Sequence, residues 1–154
     1  EERWSGRIAR RIVHARRNQP IRSSGELARM VRAAVPGGGR FRIHPATRVF
    51  MALRIVVNDE LVRLSEFLDQ VPEMLNPGGR LCILSFHSLE DRIVKQRLKA
   101  MERKFRRDAG PNDTAGGPEK VLKILTRKVV RPGPDEIAAN PMARSTKLRA
   151  AERV

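Results

Sequence analysis

At 154 residues the chain has room for one domain with a real core, and its single cysteine, Cys82, excludes a disulfide framework or a thiolate zinc site within one chain, so no metal is expected. No apolar run approaches the ~20 residues a membrane-crossing helix needs and no secretory pattern opens the chain, so the expectation is a soluble cytoplasmic protein without membrane attachment. The formal charge of +15 is unevenly laid: residues 1–42 carry 11 Lys and Arg against 3 acids, residues 43–91 carry 4 against 7, and residues 92–154 carry 17 against 7. Basic flanks of this kind draw polyanions, nucleic acid foremost, and with no Tyr, one Trp and five Phe the affinity must come from phosphate contacts more than from a broad stacking platform.

From Ser5 to Arg17 the spacing puts Ile8, Ala9, Ile12 and Val13 on one helical face and Arg7, Arg10, Arg11, Arg16 and Arg17 around the other. Asn18-Gln19-Pro20 ends this helix. Ser23 and Glu26 then have the spacing of a capping box, opening a second helix with Leu27, Ala28, Met30, Val31 and Ala34 on its apolar face. The pair has too little apolar surface to stand alone. Gly37-Gly38-Gly39 follows a helix and precedes no helix start, so it reads as a turn and not as a phosphate loop.

His44-Pro45 leads, with Thr47 as the expected N-cap, into what reads as the longest helix, with Val49, Phe50, Leu53, Val56, Val57, Leu61, Leu64 and Leu68 at threes and fours. Asn58-Asp59-Glu60 interrupts that face and reads as a break or a solvated edge. His44 is read as a helix-entry residue and only secondarily as a site. Pro72 opens a last turn, and Asn76-Pro77-Gly78-Gly79 stops the chain ahead of a strand.

That strand, Arg80 to Phe86, is the centre of the sequence. Leu81 to Leu84 are uniformly apolar, the pattern of a strand covered on both faces in a parallel α/β sheet, and Cys82 should be buried with them. Sites in such sheets lie beyond the carboxyl ends of strands, which makes Ser85, Phe86 and His87 the candidate catalytic residues. The plainer reading is that Ser88 and Asp91 cap the next helix and that His87 only hydrogen-bonds a corner. This helix should run from Leu89 to about Arg107, turning Leu89, Ile93, Val94, Leu98, Met101 and Phe105 inward. Lys95, Lys99, Arg103, Arg106 and Arg107 face outward and, with Arg7, Arg10 and Arg11, form the candidate RNA-binding set. Residues 108–119 have the composition of a flexible loop. A strand follows near 121–130, then a single helical turn from Pro134, and residues 145–152 suit a final edge strand.

The phrases HPATRVFMALRIVVNDEL (44–61), NPGGRLCILSFHSLEDRIVK (76–95) and NPMARSTKLRAAER (140–153) together resemble the MraW/RsmH family, and the similarity runs from about Arg3 to the last residues. That family comprises S-adenosylmethionine-dependent methyltransferases acting on N4 of a cytidine in bacterial small-subunit (16S) ribosomal RNA. The resemblance implies the C-terminal half of a class I, Rossmann-like α/β methyltransferase sheet, residues 43–154, preceded by the end of a helical insertion domain, residues 1–42. It also implies that 80–86 is the fifth strand and that the last two lie near 121–130 and 145–152. The glycine-rich loop, the ribose-binding acid and the Asp-containing motif that hold S-adenosylmethionine have no counterpart here, so no donor-binding residue is assigned. A fragment inactive by itself, from a parent whose partners are 16S rRNA and the small ribosomal subunit, is the expectation. The alternatives are a small basic non-catalytic RNA-binding module and a class I methyltransferase with another acceptor.

Overall fold

The computed structural model describes residues 2–36, 41, 43–108 and 122–154, with 103–108 given only as helical backbone. The glycines at 37–39 and, after Asp108, the loop expected over 108–119 lie outside the described residues. The chain forms two compact units, Glu1–Glu60 and Leu61–Val154.

The first unit is three helices, α1 (Ser5–Asn18), α2 (Ser24–Ala34) and α3 (Ala46–Val57). Ile8 of α1, Val31 and Ala34 of α2 and Ala46 of α3 are buried together, with Trp4, Ile12, Leu27 and Phe50 packed around them. Ala9 and Val13, expected on the inner face of α1, are exposed, so that face is one residue wide per turn. Ser23 caps α2 as its spacing predicts: its hydroxyl accepts from Glu26 N at 3.1 Å, while the Glu26 carboxylate accepts from Arg22 N. Thr47, by contrast, sits inside α3. The amide of Ala46 is instead taken by His44 Nδ1 at 3.2 Å. The long helix read from 47 to 68 is two: Asn58 ends α3, Asp59 takes φ 52°, and α4 (Glu60–Met74) begins. Asp is among the residues that tolerate this left-handed conformation.

The second unit holds a three-stranded sheet of β1 (Arg80–Ser85), β2 (Leu122–Ile124) and β3 (Lys147–Arg153), ordered β1-β3-β2. β3 runs antiparallel to both neighbours, with Ile83 opposite Arg149 and Lys123 opposite Glu152. β1 and β2 are therefore parallel to each other but not adjacent. The expected edge strand at 145–152 is thus the central one. β2 is shorter than the 121–130 predicted because at Ala150 the Thr126 hydroxyl replaces a backbone partner, accepting from Ala150 N at 2.8 Å. The chain then rejoins β3 at Val130 and Leu148.

One sheet face is covered. Leu81 and Ile83 of β1, Leu122 and Ile124 of β2 and Ala151 of β3 pack with Leu68 and Val71 of α4 and with Val94 and Leu98 of α5 (Ser88–Asp108). α5, not the 47–68 stretch, is the longest helix. The other face carries exposed Arg80, Cys82 and Leu84, so β1 alternates in burial and Cys82 is exposed, contrary to the two-faced reading of its apolar run. Arg80 and Glu152 pair across this face at 2.9 Å. Pro134 opens a short α6 (Pro134–Ala139), as predicted, and a 3-10 turn, Pro141–Ser145, delivers the chain into β3. Among the described residues no helix is long and apolar enough to cross a membrane.

A candidate active-site corner between β1 and α5

β1 ends at Ser85, and α5 begins three residues later, so Ser85, Phe86 and His87 form the sharp corner expected of them. Their fates differ. Ser85 is 3% exposed and its hydroxyl donates to Lys147 O across the β1–β3 ladder at 3.4 Å. The Phe86 residue is 58% exposed. The His87 side chain is only 12% exposed, and its ring is folded back onto the start of α5.

The capping box is one residue earlier than the sequence spacing suggested. His87 is the N-cap: its carbonyl accepts the first helical bond from Asp91 N, and its Nδ1 accepts from Glu90 N at 3.3 Å. Glu90 reciprocates, one carboxylate oxygen accepting from Phe86 N at 2.9 Å and from His87 N at 3.3 Å. This is the Ser-x-x-Glu logic with an imidazole in place of the hydroxyl. Because Nδ1 is an acceptor, the proton of the neutral ring sits on Nε2. Nε2 is buried, 3.2 Å from the second Glu90 oxygen but without hydrogen-bond alignment to it.

Asp91, released from capping, reaches the sheet. Its carboxylate takes a forked contact from Arg149 of β3, at 2.7 Å from Nε and 3.3 Å from the second nitrogen, with Lys147 Nζ 3.9 Å away. Burial pushes the Asp91 carboxyl up, but the Arg149 hydrogen bond and the charges of Arg149, Lys147 and Lys95 outweigh it and hold the group below its usual 3.8. The corner is therefore fixed from both sides: Glu90 ties it to its own helix, and Asp91 ties that helix to the central strand.

The same end of β1 fails the test for a methyl-donor site. A donor of this type needs backbone amides in a glycine turn after a strand and a carboxylate for its hydroxyls. The described glycines, at 6, 25, 78, 79 and 133, include none directly after a strand, and the carboxylates at the corner are engaged by Phe86 N, His87 N and Arg149. Nor do the described residues include a group of three or more His, Cys, Asp or Glu that could hold a metal ion.

Of the candidate RNA-binding residues, Arg7, Arg10 and Arg11 are exposed on α1, and Lys95 and Lys99 are exposed one turn apart on α5. Arg103, Arg106 and Arg107 belong to the helical backbone whose side chains lie outside the described residues. What sequence reading missed at the corner is Glu90 and Arg149. Glu90 was visible three residues after His87, but His is an uncommon N-cap and Ser88 drew the assignment. Arg149 is 58 residues from Asp91, and only the fold brings them together.

The chain matches the MraW methylase family along residues 1–154. It is 53% identical over 156 residues to the ribosomal RNA small subunit methyltransferase H of Desulfosudis oleivorans, covering 100% of this chain and 50% of that protein. The protein of the same name from Halothermothrix orenii is 44% identical, again over 100% of this chain and 50% of its own length. That of Nostoc sp. is 49% identical over 99% and 44%. The chain thus spans about half the length of the curated relatives it matches.

Proposed function

Since the chain belongs to the MraW methylase family, we propose that it is the C-terminal portion of an S-adenosylmethionine-dependent methyltransferase acting on N4 of a cytidine in bacterial 16S rRNA, and that it is inactive alone. The observation that carries this reading is the end-to-end match to about half of each relative, joined to a corner where the described residues supply no glycine turn after the strand and where the carboxylates are already engaged. In the parent, residues 1–42 end the helical insertion, and the sheet described here completes a class I core.

Methylating an exocyclic amine requires the base to be held in line with the incoming methyl group, with an acceptor for the amine proton. On this chain Phe86 is the group at the corner that reaches outward, and it packs against the base. Ser85 and His87 are positioning residues, the first through Lys147 O and the second through its cap on α5. The exposed Arg7, Arg10 and Arg11 of α1 and Lys95 and Lys99 of α5 grip phosphates of the small-subunit RNA.

The test is a titration of S-adenosylmethionine by calorimetry. The 154-residue chain should show no heat of binding, and a chain extended upstream to the relatives' length should bind the donor and methylate 16S rRNA. In that longer chain Phe86→Ala should lower methylation of the small subunit while donor affinity stays unchanged. Donor binding by the 154 residues alone would overturn the reading.

A further inference from the structure

We propose that Arg127, Lys128 and Arg131 form a phosphate grip that holds the RNA strand beside the base presented at the β1–α5 corner. The placement beside the corner rests on the methyltransferase reading; the grip itself does not. After β2 the chain stays bonded to β3 at two points. Leu125 N and Thr126 N donate to Ala150 O at 2.9 and 3.3 Å, and the Thr126 hydroxyl accepts from Ala150 N at 2.8 Å. Val130 and Leu148 then exchange both backbone bonds, at 3.1 and 2.9 Å. Between these two feet Arg127, Lys128 and Val129 stand opposite the single residue Arg149, so three residues span the length of one and arch away from the ladder.

The arch carries charge without aromatic surface. Arg127, Lys128 and Arg131 are exposed, and none of them pairs with an acid among the described residues. From Leu122 to Pro134 the sequence contains no acidic and no aromatic residue. Cations with no stacking partner suit the backbone of a nucleic acid and not its bases. Feet bonded to the central strand hold the arch in place before RNA arrives, which lowers the entropy lost on binding. Its location adds a second argument. β1 and β2 are parallel, so their carboxyl ends, where sheets of the α/β kind keep their sites, lie at one end of this sheet. Val130, Leu148 and Leu84 form one row across it, and two strand spacings put Val130 about 10 Å from Leu84, two residues before the exposed Phe86. A base packed on Phe86 then has its flanking phosphates within reach of the long side chains of the arch.

The test is the salt dependence with which a labelled single-stranded oligoribonucleotide binds the 154-residue chain, followed by anisotropy. Replacing Arg127, Lys128 and Arg131 together by Ala should lower the slope of log affinity against log salt by about 2, at ~0.7 for each single-strand phosphate contact. Replacing the exposed Arg22, Arg29 and Arg32 by Ala removes the same charge and should leave the slope unchanged. An unchanged slope in the first variant, or an equal fall in both, would overturn the proposal, since net charge alone would then hold the RNA. Displacement of the RNA by polyglutamate as effectively as by an unlabelled strand of equal charge would also sink it, because the arch would then favour acidic protein no less than phosphate. If the triple variant loses its far-ultraviolet circular dichroism, Lys128→Ala alone decides, with an expected fall of about 0.7 in slope. In a chain extended upstream, the triple variant should raise KM for the small subunit about ten-fold while donor affinity stays constant. An unchanged KM there would refute the placement beside the corner. If that longer chain methylates no rRNA at all, the methyltransferase reading fails, and the salt slopes still decide the grip.

Discussion

Removing Asp91 should destabilise the strand–helix unit more than removing its partner Arg149, and by an amount that depends on pH. The Arg149 side chain is 10% exposed and those of Asp91 and Lys147 are 16% each, so Asp91→Ala leaves two poorly solvated cations without their carboxylate. Breaking a buried pair from one side costs about 3–5 kcal/mol, and the residual exposure here places Asp91→Ala near the lower end, about 3 kcal/mol. Arg149→Met leaves the carboxylate beside Lys147 at 3.9 Å and replaces the stem by a similar apolar volume, so it should cost about 1–2 kcal/mol. The double variant should cost less than the two single losses together. Asp91 is held below 3.8 in the fold, so between that folded value and 3.8 the unfolded chain binds more protons than the native one. The pair's contribution is therefore complete above 3.8 and is lost as pH falls through the folded value. Urea denaturation followed by far-ultraviolet circular dichroism, repeated from pH 7 down to about pH 3, checks both statements. A cost for Asp91→Ala under about 1 kcal/mol, or an acid dependence parallel to that of the parent chain, would refute the reasoning.

Glu90→Ala removes the acceptor for Phe86 N and His87 N and should cost about 1–2 kcal/mol, with Glu90→Gln recovering most of it; hydrogen exchange at those two amides, accelerated in Ala and near normal in Gln, is the readout. Leu98, 2% exposed among α4, α5 and the sheet, should cost about 3 kcal/mol as Leu98→Ala in the same urea titration. Gly78→Ala should cost about 1 kcal/mol, because Gly78 holds φ 78° while its N–H donates to Arg153 O at 2.8 Å, and the melting temperature would register it. Replacing Arg7, Arg10 and Arg11 by Ala should lower the slope of log affinity against log salt for single-stranded RNA by about 2, whereas an unchanged slope would remove α1 from the phosphate contacts.

Local chemistry was the legible part of this chain. Ser23 three residues before Glu26, the apolar stripe through Ile8 and Ile12, and Pro134 ahead of two acids each announce an element by interactions spanning a few residues, and each element is present. The corner at Ser85, Phe86 and His87 was likewise readable from a strand running into a helix. What escaped depends on pairing across the chain. The central position of β3 is set by hydrogen bonds to strands up to 72 residues away, and no local pattern encodes strand order. The Cys82 and Leu84 side of β1 has the sequence of a buried face, yet among the described residues only the opposite side is covered. The apolar run was read for what it can pack against, and the described residues supply that on one side.

Because β3 lies between β1 and β2, both ladders among the described residues form only once residues 147–153 exist. Synthesis delivers β1 about 60 residues ahead of β3, so the edge of β1 that β3 covers stays open over that interval. Premature termination anywhere between β2 and residue 147 would thus forfeit both of these ladders and not merely one strand. Pairing of these three strands is in that sense late, whereas the contacts among the three helices Ser5–Val57 join neighbours in sequence.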